Sequence, residues 1–254
     1  MKVVKVRDVL IGEGTPKVII PLMGRTDKQL AEEVAVVKES EPDMVEWRAD
    51  VHERVDCLDE ISGTAAQLRK DLGEIPLLFT FRTDKEGGNR ELSEDTYFRL
   101  LSKIIDTGMV DVIDVEYFAD KLKVETIIQQ ARENDIRVIL SNHDFDKTPE
   151  MGEILSRLQG MQEMGADIPK IAVMPRDMED LFTLLQATSK MSRIYADRPI
   201  ITMAMGKLGL ISRLAGEVFG SAATFGSGKE ASAPGQIAAE DLKLVLSTIH
   251  KYQI

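Results

Sequence analysis

The chain has 254 residues, a length that suits one large domain and can bury a sizeable core without covalent staples. Its 43% hydrophobic and 30% charged residues are an ordinary globular mixture, and a net charge of −11 argues against nucleic acid as a partner. One cysteine, Cys57, leaves no internal disulfide framework, the three histidines (His52, His143, His250) form no compact metal motif, and no apolar run approaches membrane-spanning length. Cys57 is expected on a helix face. The N-terminal segment has neither the long apolar stretch nor the small-residue cleavage site of a secretory signal, so a cytoplasmic location is the default expectation.

Residues 3–14, VVKVRDVLIGEG, read as two short strands and a turn, a hairpin able to plug the bottom of a barrel. Strand-like runs then recur at VIIPLM (from Val18), MVEWRAD (Met44), PLLFTFR (Pro76) and MVDVIDVEY (Met109). Four more follow at RVILSNHD (Arg137), PKIAVM (Pro169), PIITMAM (Pro199) and SAATFG (Ser221). Helical spacing separates them. Asp27 to Glu39 carries Leu30, Val34 and Val37, and Ser93 caps a helix with Glu94 and Asp95 in its first turn. Thr148 before Pro149 marks another start, Asp177 opens a helix through Leu181, Leu184 and Leu185, and the last is expected from about Gln236 to Ile249. About eight strand–helix repeats predict a single α/β domain over 1–254, a (β/α)8 barrel with its N-terminal hairpin closing the bottom. The alternative is an open doubly wound sheet, but the first long strand ends Met23-Gly24-Arg25-Thr26 without a dinucleotide glycine fingerprint.

A barrel interior is normally filled by branched apolar side chains, so ionisable residues on inward faces are informative. Alternation puts Glu46, Arg48 and Asp50 opposite Val45 and Trp47, where Glu46 can accept from ligand hydroxyls and Arg48 can donate to oxygens. Arg82 ends the third run on the face of Leu78 and Thr80, and Glu86 follows on a loop with Gly87 and Gly88 that is expected to be flexible. His143 ends the fifth run on the face of Ile139 and Ser141, and its near-neutral titration suits proton transfer. Lys170 shares a face with Ala172 and Met174. It either snorkels to solvent at the strand edge or projects into the barrel, where desolvation favours a neutral, nucleophilic amine. Met203 and Met205 form a soft wall, Arg213 can hold a carboxylate, and FGSGKEASAPGQ, with Ser232 and Gln236, suggests a mobile lid. That stretch is no phosphate-binding Walker motif, since Glu230 stands where Ser or Thr is needed.

In order and spacing these fragments resemble the type I 3-dehydroquinate dehydratase family. The resemblance runs from PLMG at Pro21 to SAPGQ ending at Gln236. VILSNHD followed by PKIAVM carries most of it, supported by EWRAD, TFR, Glu86-Gly87-Gly88 and GLISR ending at Arg213. One local departure is Tyr117, where many relatives are expected to carry an aliphatic residue. The resemblance implies a cytoplasmic, homodimeric lyase of the shikimate pathway, with no cofactor or metal, that makes 3-dehydroshikimate from 3-dehydroquinate by syn elimination of water. It implies an imine at Lys170, proton transfer by His143 oriented by Glu86, a substrate carboxylate on Arg213, and oxygen contacts from Glu46, Arg48, Arg82, Ser232 and Gln236. Two other readings stay open on the residues alone: a Schiff-base aldolase acting on a phosphorylated sugar, and a catalytically silent barrel that binds a metabolite.

Overall fold

The structure, a computed structural model, describes residues 2–228 and 232–253. Strands β1 (Val4–Val6) and β2 (Val9–Ile11) pair antiparallel as the expected hairpin. There follow β3 (Lys17–Leu22), α1 (Asp27–Glu39), β4 (Met44–Arg48), α2 (Leu58–Leu72), β5 (Leu77–Thr80) and α3 (Glu94–Thr107). Next come β6 (Val112–Glu116), α4 (Lys121–Glu133), β7 (Arg137–Asp144), α5 (Met151–Glu163), β8 (Ile168–Val173) and α6 (Met178–Lys190). The chain ends through β9 (Ile201–Ala204), α7 (Leu210–Leu214), α8 (Gly216–Phe219), β10 (Ala223–Phe225) and α9 (Ala239–Lys251). Eight strands pair in parallel in the order β10-β3-β4-β5-β6-β7-β8-β9. A parallel bridge between Ile200 and Ser221 joins the two edges, so the sheet is a barrel and not an open one. None of the described helices is long and apolar enough to cross a membrane.

Period-two alternation sorts the strand residues into two cores. Outward Val45, Trp47, Leu77, Phe79, Ile113, Val115, Leu140, Ile171 and Val173 meet the amphipathic helices. Inward Ile19, Met44, Leu78, Val112, Ile139, Ile168 and Ile201 form a separate floor, on which Val4, Val6 and Ile11 of the hairpin pack. Above this floor one side of the interior turns polar, because the next inward positions on β4, β5, β6, β7 and β8 are Glu46, Thr80, Asp114, Ser141 and Lys170, respectively. The parallel register lines them up: Thr80 opposes Asp114 and Ser141 opposes Lys170. A sealed apolar base thus leaves only the carboxyl-terminal mouth open for chemistry.

Helix caps follow the expected chemistry where short polar residues precede the run. The side chains of Thr26, Ser93, Asp120 and Asp177 accept the backbone N–H of Gln29, Thr96, Lys123 and Asp180, respectively. Three expectations need correction. The helix expected at Thr148 begins at Met151, with Glu150 as its cap: the Glu150 carbonyl takes the N–H groups of Glu153 and Ile154, while the buried Thr148 hydroxyl caps nothing and finds no partner among the described residues. The last helix starts at Ala239, three residues late, because the Gln236 side chain is tied back to Ser232 and Ser227 bridges Ala238. Cys57 is the exposed N-cap of α2 and not a member of its face.

Candidate active site

Glu46, Arg48, Arg82, Glu86, His143, Lys170, Arg213, Ser232 and Gln236 all line one cavity at the carboxyl ends of the strands. The space between its walls is about 460 Å³, open mouth included. Met203, Met205, Phe145 and Phe225 supply its apolar surface.

Lys170 projects into the barrel and is only 3% exposed, which settles the choice between snorkelling and burial. Its Nζ donates to Asp114 Oδ2 at 3.0 Å and lies 4.6 Å from the centroid of the Phe225 ring. Asp114 also accepts from Arg82 (2.7 Å) and from the Ser141 hydroxyl (2.6 Å). Burial alone would raise the Asp114 carboxyl, but Arg82, Lys170 and His143 outweigh it and hold the group far below the usual carboxylate range. Arg82 has Glu116 at 3.1 Å and Glu86 at 3.5 Å from its second terminal nitrogen. Both terminal nitrogens therefore hold carboxylates, so Arg82 knits the site together besides facing the cavity.

His143 stands one strand over from Lys170, opposite Ala172 in the β7–β8 register. Burial, aided by Arg82 and Lys170, pushes its imidazole well below the ordinary histidine value, so the ring is neutral near pH 7. Nδ1 lies 3.0 Å from Glu86 Oε2, and the same oxygen accepts the His143 backbone N–H at 2.9 Å. With Nδ1–H donating to the carboxylate, Nε2 is left as the acceptor that faces the cavity. Glu86 is not the flexible loop residue expected. It is 6% exposed in a single 3-10 turn (Asp84–Glu86), and Gly87 behind it has a φ of 79° and packs on Phe145. Burial, with Glu116 nearby, raises the Glu86 carboxyl to about 7 against the pull of Arg82 and two donated hydrogen bonds.

The remaining residues frame the entrance. Glu46 accepts from the Thr80 hydroxyl at 2.8 Å. Arg48 grips Asp50 with two nitrogens, at 2.8 and 3.0 Å, and donates to the Ser232 carbonyl at 3.2 Å. Asp50 in turn accepts the backbone N–H groups of Arg82 and Asn89. Arg213 differs from the other cations: it is 1% exposed, yet among the described residues no carboxylate pairs with it. It donates to the Pro234 carbonyl at 3.2 Å, its Nε has no partner among the described residues, and burial lowers its guanidinium to about 10. Ser232 and Gln236 fold the predicted lid on itself through two hydrogen bonds of 2.8 and 2.9 Å. Glu230, together with residues 229 and 231 of that stretch, lies outside the described residues. Tyr117 sits away from the cavity, against Gly160 of α5, where an added Cβ would meet its hydroxyl at 2.2 Å.

Sequence reasoning missed Asp114, Glu116 and Asn142. The first two carried the signal already used on β4: three alternate positions of β6 are Val112, Asp114 and Glu116, so two acids share the inward face. Asn142 lies on the outward register of β7, and its reach to Glu86 has no sequence signature.

Fold and site together define a (β/α)8-barrel enzyme with its ionisable groups gathered at the carboxyl-terminal mouth around a buried lysine. The sequence profile of type I 3-dehydroquinase matches residues 18–253, and the chain belongs to that family, a class of hydro-lyases. It is 54% identical to the 3-dehydroquinate dehydratase of Bacillus velezensis, over 99% of this chain and 100% of that one. Among solved structures, type I 3-dehydroquinate dehydratase from Clostridium difficile with covalently modified comenic acid superposes with a TM-score of 0.96 at 48% identity, covering 99% of each chain. The 3-dehydroquinate dehydratase of Geobacillus kaustophilus gives 0.96 at 40% identity, covering 100% of this chain and 98% of that one.

Proposed function

We propose that the chain dehydrates 3-dehydroquinate to 3-dehydroshikimate through a Schiff base on Lys170, as a step of the shikimate pathway. The observation that carries this reading is a lysine amine shielded from water in the cavity that also presents the His143 ring, itself tethered to Glu86. Nζ of Lys170 gives up one ammonium proton and attacks the C3 carbonyl carbon; a proton returned to the carbinolamine hydroxyl lets it leave as water, giving a protonated imine that serves as the electron sink. Nε2 of His143 takes a C2 proton, the C–H electron pair moves toward the iminium nitrogen, and an enamine results. The imidazolium so formed is stabilised by Glu86. It returns that proton to the C1 hydroxyl, which leaves as water while the enamine pair forms the new double bond. Hydrolysis of the imine releases the product and restores the amine.

Arg213 is the seat for the substrate carboxylate, because a buried guanidinium with no acidic partner among the described residues gains most from one. Glu46, Arg48, Ser232 and Gln236 face the ring oxygens, while Arg82 positions Asp114, Glu116 and Glu86. Family membership favours this dehydration over the sugar-phosphate aldolase and the silent barrel. A homodimer, a cytoplasmic location and a single domain over the whole chain accompany this reading. Support for the last is a family match reaching from residue 18 to residue 253.

Borohydride reduction during turnover tests the central step. Mass spectrometry should find an adduct on Lys170 in the native enzyme, none in Lys170→Ala, and an adduct in His143→Ala despite turnover reduced by about 10²-fold or more. Absence of any adduct on Lys170 in the turning-over native enzyme would remove the Schiff base from the mechanism.

A further inference from the structure

Helix α5 touches the site without lining the cavity. Arg157, on that helix, donates from Nη1 to Oδ1 of Asn142 at 2.6 Å, and Nδ2 of Asn142 donates to Oε1 of Glu86 at 3.1 Å. Glu86 uses its other oxygen, Oε2, for the Nδ1 and backbone N–H of His143. Arginine has donors only, so its contact fixes the amide of Asn142 with the oxygen toward α5 and the amide nitrogen toward Glu86. A flipped amide would set oxygen against carboxylate at one end and N–H against guanidinium at the other. Arg157 is itself held: Nη2 is bonded to Glu153, and the guanidinium carbon lies 5.2 Å from the centroid of the Phe118 ring. Asn142 is 4% exposed, so water does not readily replace its contacts.

We propose that Arg157 and Asn142 are positioning residues for the dehydration: Arg157 orients the Asn142 amide, and Asn142 clamps Oε1 of Glu86 so that Oε2 holds the His143 ring in its proton-accepting tautomer. The inference rests on Glu86 acting through His143. Two physical effects follow. The clamp restricts the Glu86 carboxylate to one rotation, and Asn142 is one of the donors that favour its ionised form. Neither residue faces the substrate cavity, so substrate binding should not depend on them.

Three variants test the relay. Arg157→Met keeps the stem over Phe118 and removes the donors, Arg157→Lys restores one donor, and Asn142→Asp keeps the shape but cannot donate when ionised. Arg157→Met and Asn142→Asp should lower kcat by about tenfold or more with KM within about twofold, as expected when a proton-transfer pair is misaligned and the substrate is still held normally. The acid limb of the kcat–pH profile should move to higher pH, because Glu86 loses support for its charge. Arg157→Lys should recover part of both effects. Borohydride labelling of Lys170 should persist in all three. A Glu86→Gln control separates the relay from the residue it serves. Unchanged kcat and pH profile in Asn142→Asp and Arg157→Met, with Glu86→Gln impaired, overturns the relay alone. An unimpaired Glu86→Gln overturns the role of Glu86 and the relay with it. If Arg157→Met does not fold, Asn142→Asp decides the matter.

Discussion

Nζ of Lys170 stands 3.0 Å from Oδ2 of Asp114, while Oδ1 of the same carboxylate takes a 2.7 Å hydrogen bond from Arg82. One fully buried acid thus holds two buried cations at the base of the cavity. Breaking a buried ion pair from one side leaves uncompensated charge, at a cost of several kcal/mol. Asp114→Asn would leave Lys170 and Arg82 facing an amide. Its unfolding free energy should fall by about 3–5 kcal/mol in urea titrations. A loss below about 1 kcal/mol, the range of exposed pairs, would show that the network is water-screened.

Arg213 should show the opposite balance. It is buried without an acidic partner among the described residues, and burial has already lowered its guanidinium to about 10. Arg213→Met removes a desolvated charge and should leave the ligand-free protein as stable as before, or more so by about 1–2 kcal/mol. The same change should raise KM for 3-dehydroquinate roughly 30- to 100-fold, the equivalent of about 2–3 kcal/mol of charge-assisted hydrogen bonding. Calorimetry of the free protein beside steady-state kinetics checks both signs. A KM that stays within about twofold would move the carboxylate seat elsewhere.

Much of this site was legible in the chain because strand alternation is a local rule. Glu46, Arg48, His143 and Lys170 each interrupt an inward apolar face, and any such interruption at a strand's carboxyl end marks the barrel mouth. Asp114 and Glu116 obey the same rule on β6 and could have been found by it. Arg157 and Asn142 could not, since their pairing depends on how α5 docks beside β7, a tertiary relation without a sequence period. The tethering of Glu86 was equally hidden. A Glu-Gly-Gly loop suggests freedom, whereas here the glycines permit close packing that removes it. Helix starts failed where a side chain had a tertiary use, as Gln236 shows by bonding to Ser232 instead of entering α9.

The Glu86 carboxyl also predicts how stability changes with pH. Its value rises from 4.5 to about 7 on folding, so the folded state binds its proton more tightly than the unfolded chain does. The contribution is fully present below about pH 4.5 and is lost as pH rises through about 7. Glu86→Gln cannot titrate, so the native protein should lose stability relative to this variant between those two pH values. Chemical denaturation of both proteins at about pH 5 and about pH 8 measures the difference. A gap that is the same at both pH values would mean that Glu86 is not held by burial as described.

Gly88 sets the position of Glu86 from behind. A Cβ at Gly88 would lie 1.8 Å from the carbonyl oxygen of Arg82, and its N–H is bonded to the Thr83 carbonyl at 2.8 Å. The obstruction is backbone, which cannot swing aside as a side chain can. Gly88→Ala must therefore displace either the end of β5 or the turn that carries Glu86. Overpacking of this kind typically costs about 1–3 kcal/mol, and here relief through the turn is the easier route because β5 is locked in the barrel. The expected result is a modest fall in melting temperature with a much larger fall in kcat, at least about tenfold, as Glu86 leaves His143. Borohydride should still label Lys170, since β8 is untouched. Full activity in Gly88→Ala would show that the turn tolerates displacement and that proton transfer does not require the Glu86–His143 contact at its 3.0 Å length.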